Sequence, residues 1–163
     1  MHKSANDLAS EIETTIGDSW LPRIYRDRIL KMRTRAYEFP ARPKNAAPQI
    51  HHTLLGIELK VGRQRMLCPD LATARYLCVF ARIGCKAVAI PYDITKISQV
   101  ADELESSWYR ILLLADESTR QTAETLRVRV RRILIERMRD EITQAGAGAP
   151  APEFARSTKQ RQR

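Results

Sequence analysis

Apolar residues recur at helical spacing along most of the chain. Leu8, Ile12 and Ile16 lie four residues apart, so their common stripe predicts a short helix that ends at Gly17. The next predicted helix has Pro22 in its first turn, a position at which proline is tolerated. The same periodicity predicts four further helices, over residues 20–37, 71–83, 97–115 and 119–144.

The middle of the chain shows the spacing of β-strands instead. Residues 51–61 and 63–68 are predicted to be two strands of a β-hairpin joined around Gly62, and apolar and polar residues alternate from Ile57 to Val61. Placing Gly62 and Arg63 in the turn sets the register, because side chains alternate between the two faces of a strand. The predicted cross-strand pairs are Val61 with Gln64, Lys60 with Arg65, and Glu58 with Leu67.

A third strand is predicted after the helix that follows the hairpin. Residues 86–93 are almost continuously apolar, which is typical of a strand buried on both faces. A strand, a helix and a strand in this order favour a right-handed crossover. The elements together predict an α/β fold, in which a small mixed three-stranded sheet (the hairpin plus the crossover strand) has helices before and after it.

The length of 163 residues fits one domain with a tail. Three prolines fall within residues 39–50, where they disfavour both a helix and a central strand. The predicted segments are N-terminal helices (1–38), a Pro-rich connector (39–50), an α/β core with C-terminal helices (51–144) and a disordered basic tail (145–163).

The net charge of +9 is concentrated in two segments. Residues 22–44 hold eight Lys/Arg and two acids, and residues 120–163 hold eleven Lys/Arg and five acids, whereas residues 45–119 are neutral. Clustered Lys and Arg are typical of proteins that bind polyanions, so nucleic acid is the expected partner. The residues predicted to contact phosphates are Arg127, Arg131 and Arg132 on the last helix and Lys60, Arg63 and Arg65 on the hairpin.

Two alternatives compete with this interpretation of the last helix. Arg127 or Arg131 can instead form an ion pair with Glu103 or Glu105 of the preceding helix. The apolar helices within residues 97–142 can also bury against another chain, which would make the protein a non-catalytic interaction module or a homo-oligomer. No basic run is interleaved with aromatic residues, so the sequence predicts no stacking platform for a single strand. The aromatic residues in or beside apolar patterns are instead predicted to lie in the core: Tyr76, Tyr92, Trp108 and Tyr109.

Glu58 and Lys60 are the candidate catalytic residues. They are two residues apart on a predicted strand, so both side chains lie on one face. The sequence "ELK", followed by a strand, a helix and a strand, resembles the later half of the core of PD-(D/E)XK nucleases. That resemblance implies a Mg²⁺ ion bound by Glu58 with Glu38 or Asp70, and a water oriented by Lys60. The alternative is an exposed pair on a hairpin, with Asp70 serving as a helix N-cap.

No cofactor is expected unless Mg²⁺ serves such a nuclease. No apolar run approaches the ~20 residues that span a bilayer, so no membrane partner is expected. The N-terminal segment lacks a signal pattern, and the three cysteines lack C-x-x-C spacing. These observations favour reduced thiols and a cytoplasmic location.

Overall fold

Residues 3–40 and 47–148 are described by the computed structural model. The helices are α1 (Ala5–Ile16), α2 (Leu21–Ile24), α3 (Leu71–Ile83), α4 (Ile94–Ser118) and α5 (Glu124–Ala145). A 3₁₀ turn occupies Gly17–Ser19, and a π-helical turn, Tyr25–Ile29, continues α2. The strands are β1 (Thr34–Glu38), β2 (Gln49–Thr53), β3 (Gly56–Val61), β4 (Gln64–Cys68) and β5 (Ala87–Pro91).

The predicted α/β class is confirmed, with helices before and after the sheets. Half of the predicted connector (41–46) and most of the predicted tail (from 149) lie outside the described residues. The connector was also predicted too long, since its last two residues, Gln49 and Ile50, begin β2. The described part of the chain contains no helix that is both long and apolar enough to cross a lipid bilayer.

The hairpin register is confirmed at all three predicted pairs, Val61 with Gln64, Lys60 with Arg65, and Glu58 with Leu67. Residues 51–61, predicted as one strand, instead contain the end of β2, a turn and β3. The turn forms because Gly56 adopts φ +131°, which other residues rarely tolerate, and because the Thr53 hydroxyl accepts the Leu55 N–H at 3.2 Å. The resulting three-stranded sheet has the order β2–β3–β4 and is antiparallel throughout.

The structure corrects the predicted position of the third strand. β5 does not join the hairpin but pairs antiparallel with β1 in a separate two-stranded sheet. The helix predicted over 20–37 ends after the π-helical turn, and residues 34–38 extend as the partner strand. The register sets Tyr37 opposite Val88 and Arg35 opposite Ile90. The apolar side chains of Val88 and Ile90 are buried, and cross-strand pairs of this kind stabilise the sheet.

Helix α3 lies at the centre of the core. Its N-terminus is capped by Asp70, whose Oδ1 accepts the Thr73 N–H at 2.7 Å, and it ends at Gly84 with φ +89°. Phe80 packs edge-on against Tyr25, with ring centroids 5.5 Å apart, and α4 packs along the same helix. Helix α5 packs on α1 through a stripe of fully buried residues at four-residue spacing: Val130, Leu134, Met138 and Ile142.

Two tyrosine hydroxyls complete the hydrogen bonding of β5. The bonds Phe39 N–Lys86 O (2.9 Å) and Tyr92 N–Arg33 O (3.2 Å) flank the ladder, so Ala89 occupies a position whose main-chain groups point away from β1. Its N–H donates to the Tyr25 hydroxyl at 2.8 Å, and its carbonyl accepts from the Tyr76 hydroxyl at 2.5 Å. The main-chain groups of Ala89 are thereby satisfied without a third strand.

The Tyr25 hydroxyl should contribute measurably to stability. It also donates to the Gly146 carbonyl at 2.5 Å, so Tyr25→Phe leaves two main-chain groups without this partner. We expect the free energy of unfolding, measured by urea denaturation, to fall by about 1–3 kcal/mol. Tyr109→Phe alters an exposed tyrosine and should change it by less than about 0.5 kcal/mol. Equal effects of the two substitutions would contradict the role of Tyr25.

The same hydroxyl should make stability sensitive to alkaline pH. Burial raises the pKa of Tyr25 to about 12, whereas an unfolded tyrosine titrates near pH 10. The unfolded chain therefore releases the proton first, so the contribution is complete below about pH 10 and is lost between about pH 10 and pH 12. This group lowers the free energy of unfolding by at most about 1.4 kcal/mol per pH unit in that window.

Urea denaturation of the wild type and of Tyr25→Phe, from about pH 9 to about pH 11.5, measures this effect. The difference in stability between the two proteins should shrink as the pH rises, because only the wild type carries the titrating hydroxyl. A difference that stays constant across the range would show that Tyr25 does not titrate as its burial implies.

Candidate nucleic-acid interface

The hairpin presents a basic surface that we call the cationic sheet face, defined by Lys60, Arg63 and Arg65. Leu59 and Val61 point inward and are buried, so the alternation of β3 turns Lys60 to the outer face. Arg65 lies directly opposite it on β4, and Arg63 is exposed in the intervening turn. Directly opposed residues have Cβ atoms about 4.5–5.5 Å apart, so two like charges are held close together.

The cationic sheet face has no carboxylate partner within the described ranges. None of its three side chains approaches a described carboxylate within the 4.0 Å of an ion pair. Like charges opposed across strands disfavour folding by a few tenths of a kcal/mol to about 1 kcal/mol. An anion from solution would relieve this repulsion.

Glu58 shares the outer face with Lys60, as the "ELK" spacing predicted. Across the strands it lies between His51 of β2 and Leu67 of β4. The acids predicted to complete a metal site lie elsewhere, since Glu38 is on β1 in the other sheet and the carboxylate of Asp70 caps α3. In residues 3–40 and 47–148 no group of three His, Cys, Asp or Glu side chains could hold a metal ion.

The strand order also differs from what the nuclease resemblance implied. β5 lies outside the sheet that carries Glu58 and Lys60, and β2, which precedes them in that sheet, contains no acid. The catalytic role of Glu58 and Lys60, and the metal-binding role of Glu58 and Asp70, stay predictions.

Two of the predicted phosphate-binding arginines of α5 are engaged in ion pairs. Arg131 forms a bidentate pair with Asp116, with N–O distances of 3.0 and 2.8 Å. Arg127 pairs with Glu124 at 3.2 Å. Arg132 is exposed and forms no ion pair with a residue that the structure describes. The charge of α5 is thus partly neutralised within the protein.

The acids expected to pair with these arginines have other partners. Glu103 binds Arg28, and Glu105 binds Arg75, which also reaches Asp102. The two carboxylates raise the pKa of the Arg75 guanidinium, because they stabilise its charged form. The alternative that Arg127 or Arg131 forms an ion pair is therefore correct, although both residues bind different acids from those expected.

A second basic cluster, which we call the Tyr92 cluster, consists of Arg33, Arg35 and Tyr92. The guanidinium carbons of Arg33 and Arg35 lie 5.0 and 5.9 Å from the centroid of the Tyr92 ring. Both arginines are exposed, and neither pairs with a carboxylate in the described part of the chain.

The Tyr92 cluster was not predicted from the sequence. Tyr76 and Trp108 are buried as predicted, but Tyr92 is 39% exposed and Tyr109 is 58% exposed. The available signal was the alternation of Arg33, Arg35 and Tyr37, which fits a strand and places arginines two residues apart on one face.

The two basic surfaces belong to strands that meet. The Tyr37 hydroxyl of β1 lies 3.0 Å from the Met66 sulfur of β4. Arg35 is two residues before Tyr37, and Arg65 directly precedes Met66. Both basic residues are within two residues of this contact along the chain, but Met66 lies opposite Leu59 on the inner face of the hairpin and Arg65 lies on the outer face.

The cysteines do not form a reactive site. Cys68, Cys78 and Cys85 are buried free thiols. Burial raises the pKa of each thiol, that of Cys85 to about 12. Because the thiolate is the nucleophile, a raised pKa suppresses reactivity near neutral pH.

Comparisons with known proteins add no identification. No protein-family model, no curated protein and no solved structure matches the chain.

The ion pairs on α5 predict different costs for two adjacent arginines. Arg131→Gln breaks the half-exposed bidentate pair with Asp116 and should lower the free energy of unfolding by up to about 1 kcal/mol. Arg132→Gln, the matched control, should change it by no more than a few tenths of a kcal/mol. Urea denaturation at low and high salt measures both, and the Arg131 effect should shrink in high salt. A larger loss for Arg132→Gln would contradict this assignment.

Proposed function

We propose that the protein binds the phosphate backbone of a nucleic acid on the cationic sheet face. The observation that carries this proposal is the opposition of Lys60 and Arg65 across the hairpin, beside Arg63, without a carboxylate partner among the described residues. Lys and Arg contacts with phosphates supply affinity that does not depend on sequence and that falls with salt.

The contribution of α5 to this binding is smaller than its composition suggests. Arg127 and Arg131 must give up carboxylate partners before they can bind phosphate, whereas Arg132 is available. We therefore assign the main contacts to Lys60, Arg63 and Arg65, with Arg132 as an auxiliary contact. This ranking separates the proposed interface from a general effect of net charge.

A nuclease that uses Mg²⁺ remains a second hypothesis for the same face. One observation favours it, namely that Glu58 and Lys60 lie on one outer face with His51 opposite Glu58. A carboxylate, an imidazole and an amine are groups that can hold a cation, move a proton and stabilise developing charge. The hypothesis requires that Glu58 bind the ion with ligands from the nucleic acid or from water.

Matched double variants test the binding proposal. Lys60→Gln/Arg65→Gln should raise the Kd for a labelled oligonucleotide of about 20 nucleotides roughly tenfold. The slope of log K against log salt should become shallower by about one for each lost contact, as measured by fluorescence anisotropy across a NaCl series. Arg127→Gln/Arg131→Gln removes the same formal charge and should raise the Kd less.

Two results would contradict the proposal. Equal weakening by the two double variants would indicate net charge rather than this face. Absence of binding by the wild type at low salt would instead favour a protein partner or a homo-oligomer, which sedimentation at several concentrations would detect.

Including Mg²⁺ in the assay tests the nuclease hypothesis, which requires cleavage that disappears in Lys60→Gln.

A further inference from the structure

The backbone of Tyr92 is fixed next to that of Arg33. Tyr92 directly follows β5, and its N–H donates to the carbonyl of Arg33, which directly precedes β1, at 3.2 Å. The Tyr92 ring lies beside both arginines of the Tyr92 cluster, and the residue is 39% exposed.

We propose that the Tyr92 cluster is a stacking subsite for an unpaired base, so that the ligand of the protein is single-stranded nucleic acid. The inference rests on the proposed function, because the cationic sheet face supplies the backbone contacts. It adds the class of nucleic acid and a recognition element that phosphate contacts alone do not provide.

The chemistry of the Tyr92 cluster fits a base together with its flanking phosphates. An aromatic ring and the planes of the Arg33 and Arg35 guanidiniums all offer flat surfaces on which a base can stack. Neither arginine is bound to a described carboxylate, so each can also bind a phosphate next to the stacked base. Bases within a duplex are already stacked on their neighbours, so only an unpaired base can enter.

A ligand that reaches both basic surfaces has to pass around β4, which is an edge strand of its sheet. β1, which carries Arg35, meets β4 at the contact between Tyr37 and Met66. Met66 lies opposite Leu59 on the inner face, whereas Arg65 lies on the outer face, so the ligand follows this edge. Single-strand binding sites commonly span about 4–16 nucleotides.

An abasic backbone separates stacking from phosphate binding. The probes are fluorescein-labelled oligothymidylate of about 12 nucleotides and an oligomer of the same length in which tetrahydrofuran spacers replace every nucleoside. Both carry the same phosphates, but only the first has bases. The full chain should bind oligothymidylate at least about fivefold more tightly than the abasic oligomer.

Variants of Tyr92 test whether its ring causes this difference, expressed as the ratio of the affinity for oligothymidylate to the affinity for the abasic oligomer. Tyr92→Leu should bring the ratio close to one and leave the affinity for the abasic oligomer unchanged. Tyr92→Phe keeps the ring and should preserve the ratio within about twofold. Tyr109→Leu, at an exposed tyrosine on α4, is the matched control and should leave both affinities unchanged. Circular dichroism confirms that each variant is folded.

The results distinguish failure of stacking from failure of the proposed function. Equal binding of both oligomers by the wild type, or an unchanged ratio in Tyr92→Leu, would overturn the stacking subsite and leave phosphate binding intact. Lys60→Gln/Arg65→Gln should weaken both oligomers by the same factor and keep the ratio. Absence of binding to either oligomer would overturn both the subsite and the proposed function.

Discussion

The main-chain hydrogen bonds of Ala89 are the constraint on which the arrangement of the elements depends. A two-stranded sheet leaves one edge of each strand unpaired, and the second edge of β5 is buried, where unpaired main-chain groups would be costly. The hydroxyls of Tyr25 and Tyr76 satisfy the main-chain groups of Ala89 on that edge. Tyr25 also binds Gly146, so one side chain joins the N-terminal helices, β5 and the end of α5. The position of β1, and hence of the Tyr92 cluster, follows from this arrangement.

The secondary structure decides which basic residues are available to a ligand. Helices pack side by side, so the long arginine side chains of α5 reach acids on α4 and α1, as Arg131 reaches Asp116 and Arg137 reaches Glu13. Among the described helices, α3 packs on β2–β3–β4, where the inner-face residue Leu59 is buried, and α3 leaves the outer face of this sheet uncovered. The strands therefore carry fewer basic residues than α5, but Lys60, Arg63 and Arg65 form no ion pair among the described residues.

Local patterns predicted the hairpin and the helices, and non-local pairing accounts for what was missed. The register around Gly62 could be predicted because turn chemistry and alternation are encoded within a few residues. Strand β1 could not be predicted, because Met32 and Ala36 also fit a helical stripe and because the strand pairs with β5, about fifty residues away along the chain. Because β1 was not predicted, the Tyr92 cluster was not predicted either, since the pairing of β1 with β5 brings Arg33 to Tyr92. The opposition of Lys60 and Arg65 could be predicted because both residues lie within the hairpin.

The most direct test maps the bound nucleic acid onto the protein by NMR. Unlabelled oligothymidylate of about 12 nucleotides is titrated into the ¹⁵N-labelled full chain at low salt, and the change in each amide shift is recorded. We predict the largest changes at Lys60, Arg63 and Arg65 and at Tyr92 with its neighbours on β1. Changes confined to the exposed face of α5, around Arg129 and Arg132, or no changes at all, would contradict the assignment of the interface to the strands.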